Sequence, residues 1–170
     1  MTDDRKADWA RAARALPRGS VVVVRAHDAA RRRALAEELY GLARLLIAGD
    51  PGLAEEMGAA GLHLPETRMR EAGHWRARHP DWIVTSSAHC LSALMHVAHL
   101  DAVFLSPVFA TTSHKNAKPL TPMRAAMIAA QAQVPVYALG GVTVRNGLLL
   151  APSFSGIAAI TSLLSSPSRA

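Results

Sequence analysis

Seven short apolar runs recur along the chain about 20 to 30 residues apart, and an amphipathic stretch fills each gap. The runs cover residues 21–24, 44–47, 61–64, 82–85, 102–105, 134–138 and 157–160. The first, Val21-Val22-Val23-Val24, is β-branched throughout, as in strands buried on both faces. Helical patterns are predicted over 7–16, 29–42, 53–60, 67–78, 90–100, 121–133 and 143–150. Strands alternating with helices at this spacing predict successive right-handed βαβ units and a parallel sheet.

Such a pattern closes as a doubly wound sheet or as a barrel. A dinucleotide-binding doubly wound fold carries a glycine-rich turn after its first strand, whereas Arg25-Ala26-His27-Asp28 follows here. Glycines gather late instead, at Gly140-Gly141 and Gly156, after the sixth run and just before the seventh. A barrel commonly builds a phosphate site from the loops after its last two strands. The expected fold class is therefore α/β, a TIM (β/α)8-type barrel that is short and one strand incomplete.

Composition supports one domain spanning 1–170. Half the residues are hydrophobic, enough for a core and too many for a disordered chain. A single cysteine, Cys90, rules out an intrachain disulfide and a four-cysteine zinc site, and a cytoplasmic protein is the simplest expectation. The opening residues show no targeting pattern. The net charge of +6 is unevenly placed: residues 102–170 hold Lys115, Lys118, Arg124, Arg145 and Arg169 and no Asp or Glu. Dispersed cations with only 5% aromatic residues do not make a nucleic-acid surface. The Arg31-Arg32-Arg33 run reads as a solvated helix face balanced by Glu37 and Glu38. Residues 146–168 carry no charge, but Pro152, Gly156 and six serines argue for a short buried helix, a turn and a buried strand rather than a membrane span.

Functional residues of a parallel barrel lie just past the C-terminal ends of its strands. Gly140-Gly141 lets a backbone approach an anion closely, and Ile160-Thr161-Ser162 offers further N–H groups and hydroxyls. The glycine pair equally suits a tight turn. Residues 106–119 form a long connection bearing hydroxyls, His114, Lys115 and Lys118, a clamp for an anionic substrate with an imidazole able to move a proton, or else a solvated loop. His96 and His99 lack a neighbouring acidic or thiolate ligand and read as surface or interhelical residues; His63 reads as a core histidine and Cys90 as structural.

Several of these segments together resemble the thiamine phosphate synthase/TenI family: Gly61-Leu62-His63-Leu64, Ser87-Ala88-His89, Ser106-Pro107-Val108-Phe109 with Thr111 and Lys115, Ala138-Leu139-Gly140-Gly141-Val142 with Asn146, and Gly156-Ile157-Ala158-Ala159-Ile160-Thr161. The resemblance runs from about residue 17 to residue 164. It implies a (β/α)8 barrel active in thiamine biosynthesis. Synthases of this kind join hydroxymethylpyrimidine diphosphate to thiazole phosphate with Mg²⁺ and release pyrophosphate, and the TenI branch tautomerises a thiazole. By resemblance, Gly141, Ile160 and Thr161 fall where the family binds the thiazole phosphate, and Arg25 and Ser87 where synthases contact the pyrimidine diphosphate. Their places at strand ends and on the long connection add Gly140 to the phosphate-binding candidates, His27, Thr111 and Ser113 to the substrate-binding ones, and make His114, Lys115 and His89 the candidate catalytic groups.

The chain also departs from that pattern. Val23 and His27 stand where the family has glutamine and lysine. The Asn-Asp pair expected after the family's third strand corresponds to Ala48-Gly49, with Asp50 one place late, and the second metal-binding aspartate corresponds to Arg68. Mg²⁺ is thus implied by the resemblance while its aspartate positions are replaced. Met1-Thr2-Asp3 matches the Thr-Asp tail of the family's first strand without that strand's apolar part. A barrel lacking it leaves unpaired edges, completed by an upstream start or by a homodimer. The expected function is a synthase-like transferase coupling thiazole phosphate to the pyrimidine diphosphate; the alternatives are a metal-independent thiazole tautomerase and a non-catalytic thiazole-phosphate binder. All take a small phosphorylated partner, with neither nucleic acid nor membrane.

Overall fold

The computed structural model describes residues 1–4, 7–111, 118–150 and 153–160. Contacts divide the described residues into two compact units: those within 1–63 and 81–83 together with Ile160, and those within 64–80 and 84–159.

In the first unit, β1 (Val21–Val24), β2 (Arg44–Ala48) and β3 (Gly61–Leu64) lie parallel in sequence order, with Val22 opposite Leu45 and Ile47 opposite Leu62. Side chains alternate across a strand, so Val22, Val24, Leu45 and Ile47 share one face. On that face they pack with Trp9 and Ala13 of α1 (Trp9–Arg14), Leu35, Ala36 and Leu39 of α2 (Ala29–Leu39), and Leu53 and Ala54 of α3 (Pro51–Glu56). Each helix starts where a short acidic side chain takes an otherwise orphaned amide. Asp8 accepts from Arg11 N, Asp28 from Arg31 N and Asp50 from Leu53 N. Pro51 follows Asp50 at the first helical position, where its missing N–H costs nothing.

The Thr-Asp tail expected beside β1 is there. Thr2 N–H donates to the Val23 carbonyl at 2.9 Å, and the Thr2 hydroxyl both accepts from Arg25 N and donates to the Arg25 carbonyl.

In the second unit, β4 (Ile83–Ala88), β5 (Ala102–Leu105), β6 (Val136–Ala138) and β7 (Gly156–Ile157) are again parallel and in sequence order. Val84, Val103, Leu105, Val108, Ala125 and Ile128 are buried there. The helical elements are a 3-10 turn over Glu66–Glu71 running into α4 (Ala72–Arg78), a 3-10 turn over Leu91–His96, α5 (Pro122–Ala129), and α6 (Val144–Gly147) continued by a 3-10 turn over Leu148–Leu150.

Every strand expectation has its counterpart, but β7 is not the buried strand expected, since Ile157 is 51% exposed, and the helix expected over 90–100 is only the 3-10 turn over Leu91–His96. Two further expectations need correction. The charge-free stretch from residue 146 does not begin as a buried helix. Leu148 and Leu149 are 81% and 70% exposed while Leu150 is buried. With three residues per turn, consecutive leucines of a 3-10 turn point in three directions and only one can face the core. The arginine run is not balanced by Glu37 and Glu38 alone: Arg33 pairs with Glu56 of α3, and Arg32 is half-buried between the Ala26 carbonyl and Asp50.

Candidate active site

His89 follows β4 directly. Ala88 faces Leu105 in the β4–β5 register, so His89 comes beside Ser106, whose N–H donates to the Ala88 carbonyl. The imidazole Nδ1 lies 2.7 Å from the Ser106 carbonyl oxygen and 3.4 Å from the Ser106 hydroxyl. The backbone N–H of His89 donates to Oε2 of Glu66 at 2.6 Å. Ser106 is buried and the His89 residue is exposed, so a fixed backbone oxygen holds a ring that reaches solvent. On β4 itself, the Ser86 hydroxyl is buried and donates to the Leu64 carbonyl, a structural commitment. Ser87, one of the expected substrate contacts, is half-buried on the opposite face of the strand.

Gly140 and Gly141 follow β6 with φ of 88° and 64°, a left-handed pair that side-chain-bearing residues rarely adopt. A Cβ on Gly140 would come within 2.8 Å of Pro107 Cα, and one on Gly141 within 2.3 Å of the Ala110 carbonyl. Close approach of the 107–110 backbone therefore demands both glycines, whatever the turn binds. Phe109 N–H donates to the Gly140 carbonyl and Asn146 Nδ2 to the Gly141 carbonyl. Asn146 and Thr143 cap each other reciprocally at the start of α6. Thr111 is half-buried at the edge of this loop. Ser113, His114, Lys115 and Thr161 lie outside the described residues. Ile160 falls in the first unit, against its apolar cluster.

In the first unit, Arg25 and His27 follow β1. Arg25 is half-buried, its backbone pinned on both sides by Thr2. His27 is exposed, with its N–H on Asp4 Oδ1 and its Nε2 3.7 Å from Asp4 Oδ2. His63 on β3 is buried, and that burial, with the chain-terminal ammonium and Arg25 adding to it, pushes its pKa down to about 3. It stays a neutral core group, as expected. A cleft of about 540 Å³ between α2 and α3 has Ala29, Ala30, Gly52 and Leu53 in its walls, but the Arg33 and Glu56 side chains that also line it are paired with each other.

The positions that the resemblance assigns to Mg²⁺ offer the wrong donors. Ala48 and Gly49 have no side-chain oxygen. Asp50 spends one carboxylate oxygen capping α3 and the other on Arg32 Nη2 at 3.1 Å. Burial alone would raise its pKa, but the Leu53 amide and the Arg32 guanidinium outweigh that and hold it low. Arg68 brings a cation, held by two 2.7 Å hydrogen bonds to Glu71. A hard dication needs several oxygen ligands, so these residues do not fit Mg²⁺. Among the described residues no three His, Cys, Asp or Glu side chains cluster as a metal site. His96 takes part instead in a 3.0 Å contact with Arg70, and Cys90 in one with the Ser92 hydroxyl.

Two roles at this site leave no signal in the sequence. The Ser106 carbonyl is backbone and carries no mark of residue type. Glu66 follows β3, 23 positions before the His89 whose amide it takes, and nothing in residue type links the two.

Comparison with known proteins agrees with this frame. A family model described as thiamine monophosphate synthase matches residues 1–163. A protein of Aquifex aeolicus (strain VF5) described as "Putative thiamine-phosphate synthase 2" is 35% identical over 113 residues, which is 65% of this chain and 59% of that protein, so the match spans less than two thirds of the relative's length. The solved thiamine phosphate pyrophosphorylase from Pyrococcus furiosus superposes with a TM-score of 0.76 at 17% identity, covering 97% of this chain and 86% of that one. A cube-shaped protein cage designed by fusing symmetric oligomeric domains superposes at 0.64 and 14% identity, covering 95% of this chain and 62% of its own. The fold is the α/β, TIM-barrel-like fold of these synthases, and the chain belongs to the thiamine monophosphate synthase family.

Proposed function

We propose that the chain binds a thiazole phosphate at the strand ends of its second unit and moves a proton on the thiazole ring, with His89 as the base. The observation that carries this reading is the His89 imidazole, held through Nδ1 by a buried backbone oxygen and open to solvent. The Gly140-Gly141 turn supports the phosphate end. Among the described residues neither glycine amide donates a hydrogen bond, and residues 102–170 contain no carboxylate to repel a dianion. The reaction needs no Mg²⁺, in keeping with the donors at the family's metal positions.

The test is proton NMR of a thiazole phosphate in D₂O with the chain and a chelator. Exchange or migration of the ring proton, lost in His89→Gln, supports the reading; an unchanged spectrum with wild-type protein contradicts it.

A second reading is the transfer reaction, coupling the thiazole phosphate to hydroxymethylpyrimidine diphosphate with the Arg25 guanidinium meeting the diphosphate. The descriptions of the family and of both synthase relatives favour it. Pyrophosphate release on adding both substrates, with and without Mg²⁺, separates the two chemistries. Saturable binding with neither product marks a non-catalytic binder.

A further inference from the structure

His89 is held at two points, one on its ring and one on its backbone, and the chemistry of the ring's partner decides which nitrogen works. A carbonyl oxygen accepts and never donates, so a neutral imidazole whose Nδ1 sits 2.7 Å from the Ser106 carbonyl carries its proton on Nδ1. The Ser106 hydroxyl, 3.4 Å from the same nitrogen, is the longer and weaker contact. That leaves Nε2 as the bare acceptor. The β4–β5 register sets the Ser106 oxygen in place, and Ser106 is buried, so this anchor is rigid. The second grip is on the backbone: Oε2 of Glu66, at the start of the 3-10 turn that follows Pro65, accepts the His89 N–H at 2.6 Å. Without it the His89 amide loses its carboxylate acceptor, and the ring's orientation rests on the Nδ1–Ser106 contact alone.

We infer that Glu66 is a positioning residue for His89 and that proton transfer runs through Nε2; this deepens, and rests on, the reading of His89 as the base. In the step, Nε2 takes the proton from one position of the thiazole ring while the electron pair of the broken bond passes into the ring. The resulting imidazolium, its charge spread toward the Ser106 carbonyl, returns the proton at a second position. Substrate and product are isomers, His89 ends as it began, and no oxidant, reductant or co-reactant is consumed.

The experiment has two arms. In the first, protein with ¹⁵N-labelled histidine is examined by long-range ¹H–¹⁵N correlation at about pH 8.5, where a free imidazole is neutral. The His89 signals are identified by their loss in H89Q. The expected spectrum shows Nδ1 protonated and Nε2 bare; the reverse tautomer overturns the inference. In the second arm, E66A is expected to lose about tenfold or more in kcat with KM unchanged. E66Q, whose amide oxygen still accepts the His89 N–H, keeps most of what E66A loses. E66A turning over as fast as wild type while H89Q is inactive overturns the positioning role and leaves the base intact. Full turnover by H89Q removes the base assignment itself, and the inference with it.

Discussion

A histidine inside an apolar strand makes this protein sensitive to acid at one residue. His63 is buried and its pKa lies near 3, so between about pH 6.5 and pH 3 the unfolded chain binds a proton that the folded chain does not. Stability from this residue is therefore complete above pH 6.5 and falls as pH drops, by at most about 1.4 kcal/mol per pH unit. Urea unfolding at pH 7 and pH 5 is expected to show a larger drop for wild type than for His63→Gln; equal drops would contradict it. The glycine turn makes a second residue-scale prediction. Gly141→Ala combines a left-handed backbone with a Cβ driven into the Ala110 carbonyl, and is expected to cost at least about 2 kcal/mol in a denaturant melt. A loss below about 0.5 kcal/mol would mean that the 107–110 backbone gives way easily.

At the scale of elements, Asp50 shows how a carboxylate near a family metal position is spent on architecture. It caps α3 and pairs with Arg32, so Asp50→Ala is expected to lose about 1 to 2 kcal/mol. Asp50→Asn, which keeps the cap and loses only the charge, should lose less. Equal losses in thermal or urea melts would place the stabilisation in the ion pair instead. The helix expected over 53–60 begins two residues earlier, at Pro51, because the Asp50 cap sets its start. The strands were more legible: β-branched runs such as Val21–Val24 pack on both faces and little else suits them. Helix lengths were less legible, because short connections leave the last turns to tertiary contacts, as at Leu148–Leu150. His89 could be named from its place after a strand, whereas its partner Ser106 acts through a main-chain oxygen that any residue supplies.

Across the whole molecule, the net charge of +6 resolves into a stretch without Asp or Glu, residues 102–170, and a preceding part in which several arginines are engaged by its own acids. Arg32, Arg33 and Arg68 each have a carboxylate partner. Two of those pairs stand at or beside the places where the family resemblance puts Mg²⁺. Metal affinity and ligand affinity should accordingly be uncoupled, and the most direct measurement is calorimetric titration of a thiazole phosphate into the full chain, with Mg²⁺ and again with a chelator. Saturable binding of the same affinity in both buffers, weakened in Gly141→Ala protein that remains folded, is the predicted result. Binding that appears only with Mg²⁺, or none in either buffer, would contradict a metal-independent thiazole-phosphate site.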